Sequence, residues 1–142
     1  MKIYSIVVDV ETNGLIGQRG ATPTDHNLHL FPNIVQFSWG LFYESGECKE
    51  MKDYIIKPNG WTMNGKEEFH GITLERANKE GVDIIEVLEE YKNDIEQYCS
   101  KLVSHNLDFG KYVIKSEFIR HDMIINDIGE CCTMKNTIDY CK

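Results

Sequence analysis

Apolar residues form one nearly unbroken run near the start of the chain. The segment IYSIVVDVE, residues 3–11, is rich in β-branched side chains. A continuous apolar run of this length is typical of a central strand that is buried on both faces. The run ends at Asn13 and Gly14, a turn-forming pair. Glycines and prolines break the pattern from there to Asn33, which predicts a long loop.

Two further segments, IVQFSWGLFYE and CKEMKDYIIKP, flank the short stretch SGE. Both are rich in the β-branched and aromatic residues that strands favour, and a connection this short with a glycine predicts a hairpin. Phe37 and Trp39 alternate with the strand period, so we place both side chains in the core.

Helical spacing dominates the second half of the chain. The stretch KEEFHGI gives only a broken helical pattern, after which Thr73 is a predicted N-cap for a short helix that Gly81 ends. The segment VDIIEVLEEYKNDIEQYC predicts an amphipathic helix that begins near Asp83. Its apolar residues recur at alternating intervals of four and three positions, namely Ile84, Leu88, Tyr91, Ile95 and Tyr98.

The remaining segments alternate between strand and helix. KLVSH predicts a short strand, LDFGKYVIKSEFIRH a helix with Val113, Ile114 and Phe118 inward, and ECCTM a final strand. Lys111, Lys115 and Arg120 lie on that helix, where we expect a solvated basic face. A strand and a hairpin followed by helix, strand, helix and strand indicate an α/β fold with a mixed sheet.

Length and charge narrow the classes of function. At 142 residues the chain is long enough for one domain with its own core, which we assign to residues 1–142. Its 15 basic and 23 acidic residues give a formal net charge of -8, which excludes a protein that coats nucleic acid through bulk electrostatics. Any contact with nucleic acid must therefore be local.

Cysteine usage and the N-terminus bear on the compartment. The five cysteines are odd in number and form no CxxC pair, and the neighbours Cys131 and Cys132 are poorly placed to bridge each other, so we expect them to pack in the interior. Met1 leads directly into the strand that carries Asp9, which is unlike a signal peptide, and no stretch is long and apolar enough to cross a bilayer. We therefore expect a cytoplasmic or other reducing intracellular compartment and no membrane association.

Two acidic residues lie at the end of the first predicted strand. Asp9 and Glu11 are separated by one residue, so their side chains leave the same face of the strand and can meet one ion. Hard carboxylate oxygens suit Mg²⁺ or Mn²⁺. The alternative is a strand end at which two acids simply reach water.

A second polar group follows the strand KLVSH. His105 and Asn106 lie where that strand ends and the next helix begins, and Asp108 falls in the first helical turn. Junctions of this kind are usual places for the chemistry of α/β proteins. Taken alone, Asp108 is better explained as a residue that accepts hydrogen bonds from the amides at the helix start.

Together these segments resemble a known family. VVDVETNGL and LVSHNLDFGKYVIKSEF are similar to the first two motifs of the DEDD, or DnaQ-like, 3′-5′ exonucleases. Other segments, such as FHGITLERANKEGV and CTMKNTIDYCK, also resemble that family in the expected order, so the resemblance covers nearly the whole chain. It implies a ribonuclease H-like fold and two-metal hydrolysis of phosphodiesters from a 3′ end.

The resemblance assigns roles to individual residues. Asp9 and Glu11 match the catalytic, metal-binding acids of the first motif. The residues that it places in the substrate site or its framework are Asn13, Gly14, Leu15, His70, His105 and Asn106. Of these, His70 is also explained as a structural residue at a helix end, which is the interpretation we favour.

The second motif departs from the family pattern at one position. The pattern is His-Asn, two residues, Phe and the catalytic Asp, which puts Phe109 on the Phe and Gly110 on the Asp. The expected carboxylate is therefore missing. Asp108 is a poor substitute, because two residues along a helix turn a side chain through about 200°.

The third motif of the family would follow the segment CTMK, and the sequence ends at Lys142 without a match to it. We therefore expect at most one weakly held Mg²⁺ or Mn²⁺ ion at Asp9 and Glu11, and a catalytically impaired 3′-5′ exonuclease. The alternative is an inactive exonuclease-fold module that binds a nucleic-acid end or a protein partner. A decayed or truncated reading frame is the third possibility.

The resemblance also bears on partners. It implies a single-stranded DNA or RNA 3′ end as the ligand. In the family, helices beyond the matched segments cover part of the sheet, so their absence predicts exposed apolar surface. We expect a second copy of the chain or another protein to cover that surface.

Overall fold

The computed structural model describes residues 3–98 and 101–132. The strands are β1 Ile3–Thr12, β2 Ile34–Tyr43, β3 Cys48–Ile55, β4 Lys101–Ser104 and β5 Gly129–Cys132. The helices are α1 Glu67–His70, α2 Leu74–Glu80, α3 Ile84–Tyr98 and α4 Leu107–Arg120, with a short 3-10 helix, Leu28–Leu30, in the loop after β1. The predicted hairpin, long loop, short helices and two long helices are confirmed.

The sheet has the mixed topology that the sequence predicts. Its strand order is β3-β2-β1-β4-β5. The pairs β1-β2 and β2-β3 are antiparallel, whereas β1-β4 and β4-β5 are parallel. The predicted α/β fold class with a mixed sheet is therefore confirmed.

Local interactions explain where the helices begin and end. The Thr73 hydroxyl accepts a hydrogen bond from the Arg76 amide at 3.1 Å, the N-cap predicted for α2. Asp83 accepts one from the Ile85 amide at 2.8 Å at the start of α3. Gly71 ends α1 in the left-handed region, with φ of 71°, which glycine adopts without strain.

The core lies between one face of the sheet and the two long helices. Ile6 and Val8 of β1 pack there with buried residues of α3 and α4. The ring of Tyr91 on α3 lies 4.9 Å from the ring of Phe37 and 5.5 Å from that of Trp39. Both aromatic residues of β2 are therefore core residues, as predicted.

The expectation that β1 is buried on both faces is wrong. Val7 is 39% exposed and Asp9 is exposed, although Ile6 and Val8 on the other face are buried. The reason is that α3 and α4 both pack against the face that carries Ile6 and Val8. The face that carries Asp9 is therefore accessible.

The expectation of a solvated basic face on α4 is also wrong at two positions. Arg120 donates hydrogen bonds to backbone carbonyls of the long loop, including Leu28 at 3.0 Å and Phe31 at 2.5 Å. Lys111 pairs with Glu130 of β5 at 2.6 Å. A helix that packs between a sheet and a loop offers its long cations acceptors nearer than water.

Cys132 and Tyr98 differ in burial. Cys132 is buried, as predicted, and Tyr98 at the end of α3 is 39% exposed rather than inward. The predicted absence of the third motif concerns residues after CTMK, which lie outside the described residues. Among residues 3–98 and 101–132, none of the helices has the length and apolar character needed to span a membrane.

Candidate functional site

The carboxyl-terminal half of β1 places both predicted acids on the accessible face of the sheet. Asp9 is exposed and Glu11 is half-buried. Their neighbours on β2 are Ser38 and Gln36, respectively. Both neighbours donate to one oxygen of Asp53 on β3, Ser38 at 2.7 Å and Gln36 at 2.9 Å. Asp53 is thus a third carboxylate on this face, which sequence reasoning missed because no motif includes it.

The described residues do not fit the pair of ions that the family resemblance implies. Residues 3–98 and 101–132 contain no group of three or more His, Cys, Asp or Glu side chains arranged to hold a metal ion. A two-ion site needs several bridging carboxylates. Asp9 and Glu11 remain the candidate ligands, and no catalytic step through a pair of ions follows from this part of the chain.

Gly110 faces the end of β4 and not open solvent. It is buried in the first half of α4, and a Cβ placed on it would lie 3.3 Å from the Ser104 hydroxyl oxygen. Ser104 is the last residue of β4 and is itself buried. At the position where the family pattern has its second-motif carboxylate, α4 therefore packs closely against β4.

Asp108 lies on another part of the same helix. It is exposed and lines a cavity with Asn106 and Tyr112. It therefore does not share the direction of position 110, as the two-residue offset predicts.

A cavity of about 310 Å³, here called the terminal pocket, adjoins Glu11. Its walls come from three separate segments and include Glu11, Gly14, Leu15, Phe69, His70 and Phe109. The fold thus brings together Glu11 and three of the predicted substrate residues, Gly14, Leu15 and His70.

The rim of the terminal pocket is apolar and exposed. Leu15 and Phe69 are each 79% exposed, unusual for large apolar side chains. The ammonium of Lys66 lies 5.3 Å from the centre of the Phe69 ring and also lines the pocket. Lys66 and Phe69 were not among the predicted site residues, although Phe69 directly precedes His70 in a segment that resembles the family.

His70 combines a structural hydrogen bond with an unused one. Its Nδ1 accepts from the Ile72 amide at 3.0 Å, so a neutral ring carries its proton on Nε2. That Nε2 is buried and has no hydrogen-bond partner within the part of the chain that the structure describes. The structural role that we favour from the sequence is therefore present, next to the pocket.

Asn13 directly follows β1 and is fixed by hydrogen bonds to two other segments. It is only 3% exposed, and its side-chain amide donates to the Thr62 carbonyl at 2.8 Å. Its Oδ1 accepts from the Asn33 amide at 2.8 Å. These bonds hold the end of β1 against two other segments, so the Asn13 side chain contacts protein in this structure.

His105 and Asn106 lie on the surface between β4 and α4. Both are exposed, and Asn106 adopts the left-handed conformation, with φ of 56° and ψ of 61°. Asn tolerates this region better than most residues. Asn106 directs the chain from β4 into α4 and lines the cavity that also contains Asp108.

That second cavity, here called the loop pocket, measures about 600 Å³. It lies between residues 16–21 of the long loop and the first half of α4, and its walls include Gln18, Arg19, Asn106, Asp108, Phe109 and Tyr112. Phe109 lines both pockets, so they are neighbours. Arg19 and Tyr112 carry no motif signal and were not predicted.

Comparison with solved structures identifies several similar folds. Exonuclease X in complex with 5′ overhanging duplex DNA matches with a TM-score of 0.63 at 18% identity, over 96% of this chain and 63% of that chain. E. coli exonuclease I with a dT13 oligonucleotide matches with a TM-score of 0.72 at 15% identity, over 93% and 28%. The metal-free E. coli ExoI-ssDNA complex matches with a TM-score of 0.77 at 14% identity, over 96% and 29%.

These matches concern the fold. The resemblance to DnaQ-like 3′-5′ exonucleases is confirmed at that level, and the chain spans less than two thirds of exonuclease X and less than one third of exonuclease I. No protein-family model matches the sequence, and neither does any curated protein.

Proposed function

We propose that this chain binds the 3′ end of a single-stranded nucleic acid in the terminal pocket and hydrolyses it slowly or not at all. The observation that carries the proposal is the pocket itself. It combines a carboxylate of β1, Glu11, with the apolar side chains of Leu15, Phe69 and Phe109. Flat apolar surface beside a few polar groups suits a nucleobase that is attached to a charged backbone.

Base binding relies on stacking in this proposal. Every base has a π-face, so aromatic rings bind single strands with little sequence preference. Phe69 is exposed at the rim and Phe109 lies in the wall. Lys66 adds a local cation in a chain whose formal net charge is -8. The terminal pocket thus offers the local contact with nucleic acid that a chain of this net charge requires.

The terminal phosphodiester is placed near Asp9 and Glu11. Two carboxylates repel a phosphate, so a cation must lie between the carboxylates and the phosphate for this arrangement to be stable. Two carboxylates with water in the remaining positions would hold one Mg²⁺ or Mn²⁺ ion weakly. These residues would thereby orient the end of the strand.

Impaired hydrolysis is inferred from position 110. In the family pattern this position supplies a carboxylate, and here it is a glycine packed against Ser104. The exposed Asp108 lines the loop pocket and not the terminal pocket wall that contains Phe109 and Glu11. We infer that binding persists while turnover is lost.

A working exonuclease is the second candidate function. Asp9 and Glu11 lie on an accessible face, where a partner or a further segment of protein could add carboxylates. This candidate differs from the first in one measurable respect, namely metal-dependent shortening of a strand from its 3′ end.

Competition between linear and circular single strands tests end binding. A 5′-fluorescent oligo(dT) bound to the chain should be displaced by unlabelled linear oligo(dT), whereas a circular single strand, which has no end, should compete poorly. Phe69→Ala should weaken binding by about 5- to 100-fold, the value of one stacked base. Ile124→Ala removes a similarly exposed apolar side chain elsewhere and should have no effect. Equal competition by circles would refute the proposal.

The nature of the sugar is tested in the same assay. Some of the similar structures are complexes with single-stranded DNA, so DNA is the first probe. An oligo(rU) of equal length is the second, and the ratio of the two affinities identifies the preferred strand. Weak competition by both linear strands would argue for a protein partner instead.

A further inference from the structure

The loop pocket lies next to the terminal pocket, and Phe109 is part of both walls. We propose that the loop pocket holds the second nucleotide of the same strand, with its base stacked on Tyr112 and its phosphate bound by Arg19. This inference rests on the proposed function of the terminal pocket. It adds a subsite that sets how much of the strand the protein recognises.

The walls of the loop pocket have the chemistry of a nucleotide site. The aromatic ring of Tyr112 offers a stacking surface. Gln18 and Asn106 offer amide donors and acceptors, and Asp108 offers an acceptor for base N–H groups. Because Asp108 would repel a phosphate, the base edge belongs on the α4 side and the phosphate on the loop side, next to Arg19.

Arg19 is available to bind a ligand. It is exposed and forms no ion pair or side-chain hydrogen bond within residues 3–98 and 101–132. By contrast, Lys111 pairs with Glu130 and Arg120 pairs with Glu117. In an acidic chain, an unpaired guanidinium at the edge of a pocket is the natural contact for a phosphate.

The loop that carries Arg19 is tied to α4 at its other end. The guanidinium of Arg120 pairs with the buried carboxylate of Glu117 and bonds to the carbonyls of Leu28 and Phe31. The Gly17 amide donates to the Leu30 carbonyl at 2.7 Å, which connects this anchored part to the pocket wall. The pocket is therefore formed before a ligand arrives, which lowers the entropic cost of binding.

Comparing a mononucleotide with a dinucleotide isolates the second subsite. Calorimetry with thymidine 5′-monophosphate and with a 5′-phosphorylated thymidine dinucleotide, which carries the second phosphate, each in Mg²⁺, should show about 5- to 100-fold tighter binding of the dinucleotide. Arg19→Gln and Tyr112→Leu should each remove most of that gain and leave mononucleotide affinity unchanged. Arg76→Gln, which removes an exposed cation of α2, should leave both affinities unchanged.

A control variant distinguishes effects on folding from effects on binding. Tyr112 is half-buried, so Tyr112→Phe, which retains the ring, should keep the dinucleotide gain and the melting temperature. Mononucleotide binding without a dinucleotide gain, or an Arg19→Gln effect that is equal for both ligands, would overturn the second subsite while leaving the terminal pocket intact. Failure of both ligands to bind would overturn the proposed function together with this inference.

Discussion

At the scale of single residues, Gly110 has the clearest consequences. Glycine inside a helix costs about 0.5–1 kcal/mol relative to alanine. The structure offers a partial compensation, because a Cβ here would lie 3.3 Å from the Ser104 hydroxyl oxygen, closer than ordinary packing. The same substitution that removes a family carboxylate therefore lets α4 approach β4 closely.

We predict that Gly110→Asp increases Mn²⁺ affinity more than it increases hydrolysis. In the family pattern position 110 supplies a metal ligand, but burial here opposes the charged form of a carboxylate, and the close approach to Ser104 restricts where it can lie. Gly110→Ala is the matched control for the added Cβ and should change Mn²⁺ affinity little. Isothermal titration and a 3′-end cleavage assay measure the two effects. Rapid cleavage restored by Gly110→Asp alone would mean that the remaining catalytic groups are already present.

We predict one weak Mn²⁺ site that depends on Asp9. Two carboxylates leave most of the shell of the ion to water, so the affinity should be low. Asp9→Ala should abolish the site. Asp53→Asn changes another carboxylate on the same face, which already accepts from Ser38 and Gln36, and should leave the site intact. Two tight sites in the unmodified chain, seen by titration, would contradict this account.

At the scale of elements, α3 is joined to the hairpin by a partly buried polar network. Asp94 accepts from the indole of Trp39 at 2.9 Å and from Lys52 at 2.8 Å, and Lys52 also pairs with Glu90 at 2.9 Å. Burial by itself lowers the pKa of the Lys52 ammonium. Hydrogen bonds and charges from Asp94 and Glu90 outweigh that effect, so its pKa lies above the usual value.

We predict that Asp94→Leu destabilises the fold by about 1–3 kcal/mol, because it leaves the buried indole N–H of Trp39 without an acceptor and removes one partner of the half-buried Lys52 ammonium. Asp94→Asn retains an acceptor and should cost less.

The pKa of Lys52 is raised on folding, so its contribution to the free energy of unfolding should depend on pH. That contribution is complete below the pKa of the unfolded chain, about 10.4, and is lost as the pH rises through the higher pKa of the folded chain. Urea unfolding at neutral and alkaline pH measures both effects. Equal stability of Asp94→Leu and the unmodified chain would contradict the network.

Periodicity in the sequence predicted most elements but not how their faces are covered. The positions of Thr73 and Gly81 predicted the bounds of α2, and the apolar spacing predicted α3. The exposure of Val7 could not be predicted, because an apolar run gives no information on which face helices pack against. The partners of Arg120 lie about ninety residues earlier in the chain, a separation that local patterns do not detect.

The sequence predicted only those parts of the candidate site that belong to a motif. Asp9, Glu11 and Gly14 lie in one short motif, so their proximity follows from strand geometry. Arg19 and Tyr112 line one cavity only because the loop folds back onto α4, and neither belongs to a motif. Motif reasoning therefore predicted part of each pocket and missed the residues that no motif includes.

At the scale of the whole molecule, the accessible face of the sheet is the main unexplained surface. Val7 is 39% exposed and Met51 on β3 is 66% exposed, both on the face that carries Asp9. Exposed apolar side chains on a sheet commonly mark a surface that associates with another chain.

We predict that the chain self-associates through this face. Val7→Thr together with Met51→Gln should shift the equilibrium toward the monomer, because both changes reduce the apolar area that association removes from water. Ile124→Gln removes an exposed apolar residue elsewhere and serves as the control. Sedimentation velocity over a range of concentrations measures the shift. A soluble monomer at high concentration would count against the prediction.

The proposed function requires that the chain hold a 3′ end without cutting it. The most direct test incubates a 5′-labelled oligo(dT) with the chain in Mn²⁺ and measures, in the same sample, the fraction bound and the length of the strand. We predict a bound strand of unchanged length, with a smaller bound fraction in Phe69→Ala. A ladder of strands shortened from the 3′ end, absent when the metal is chelated, would contradict the account.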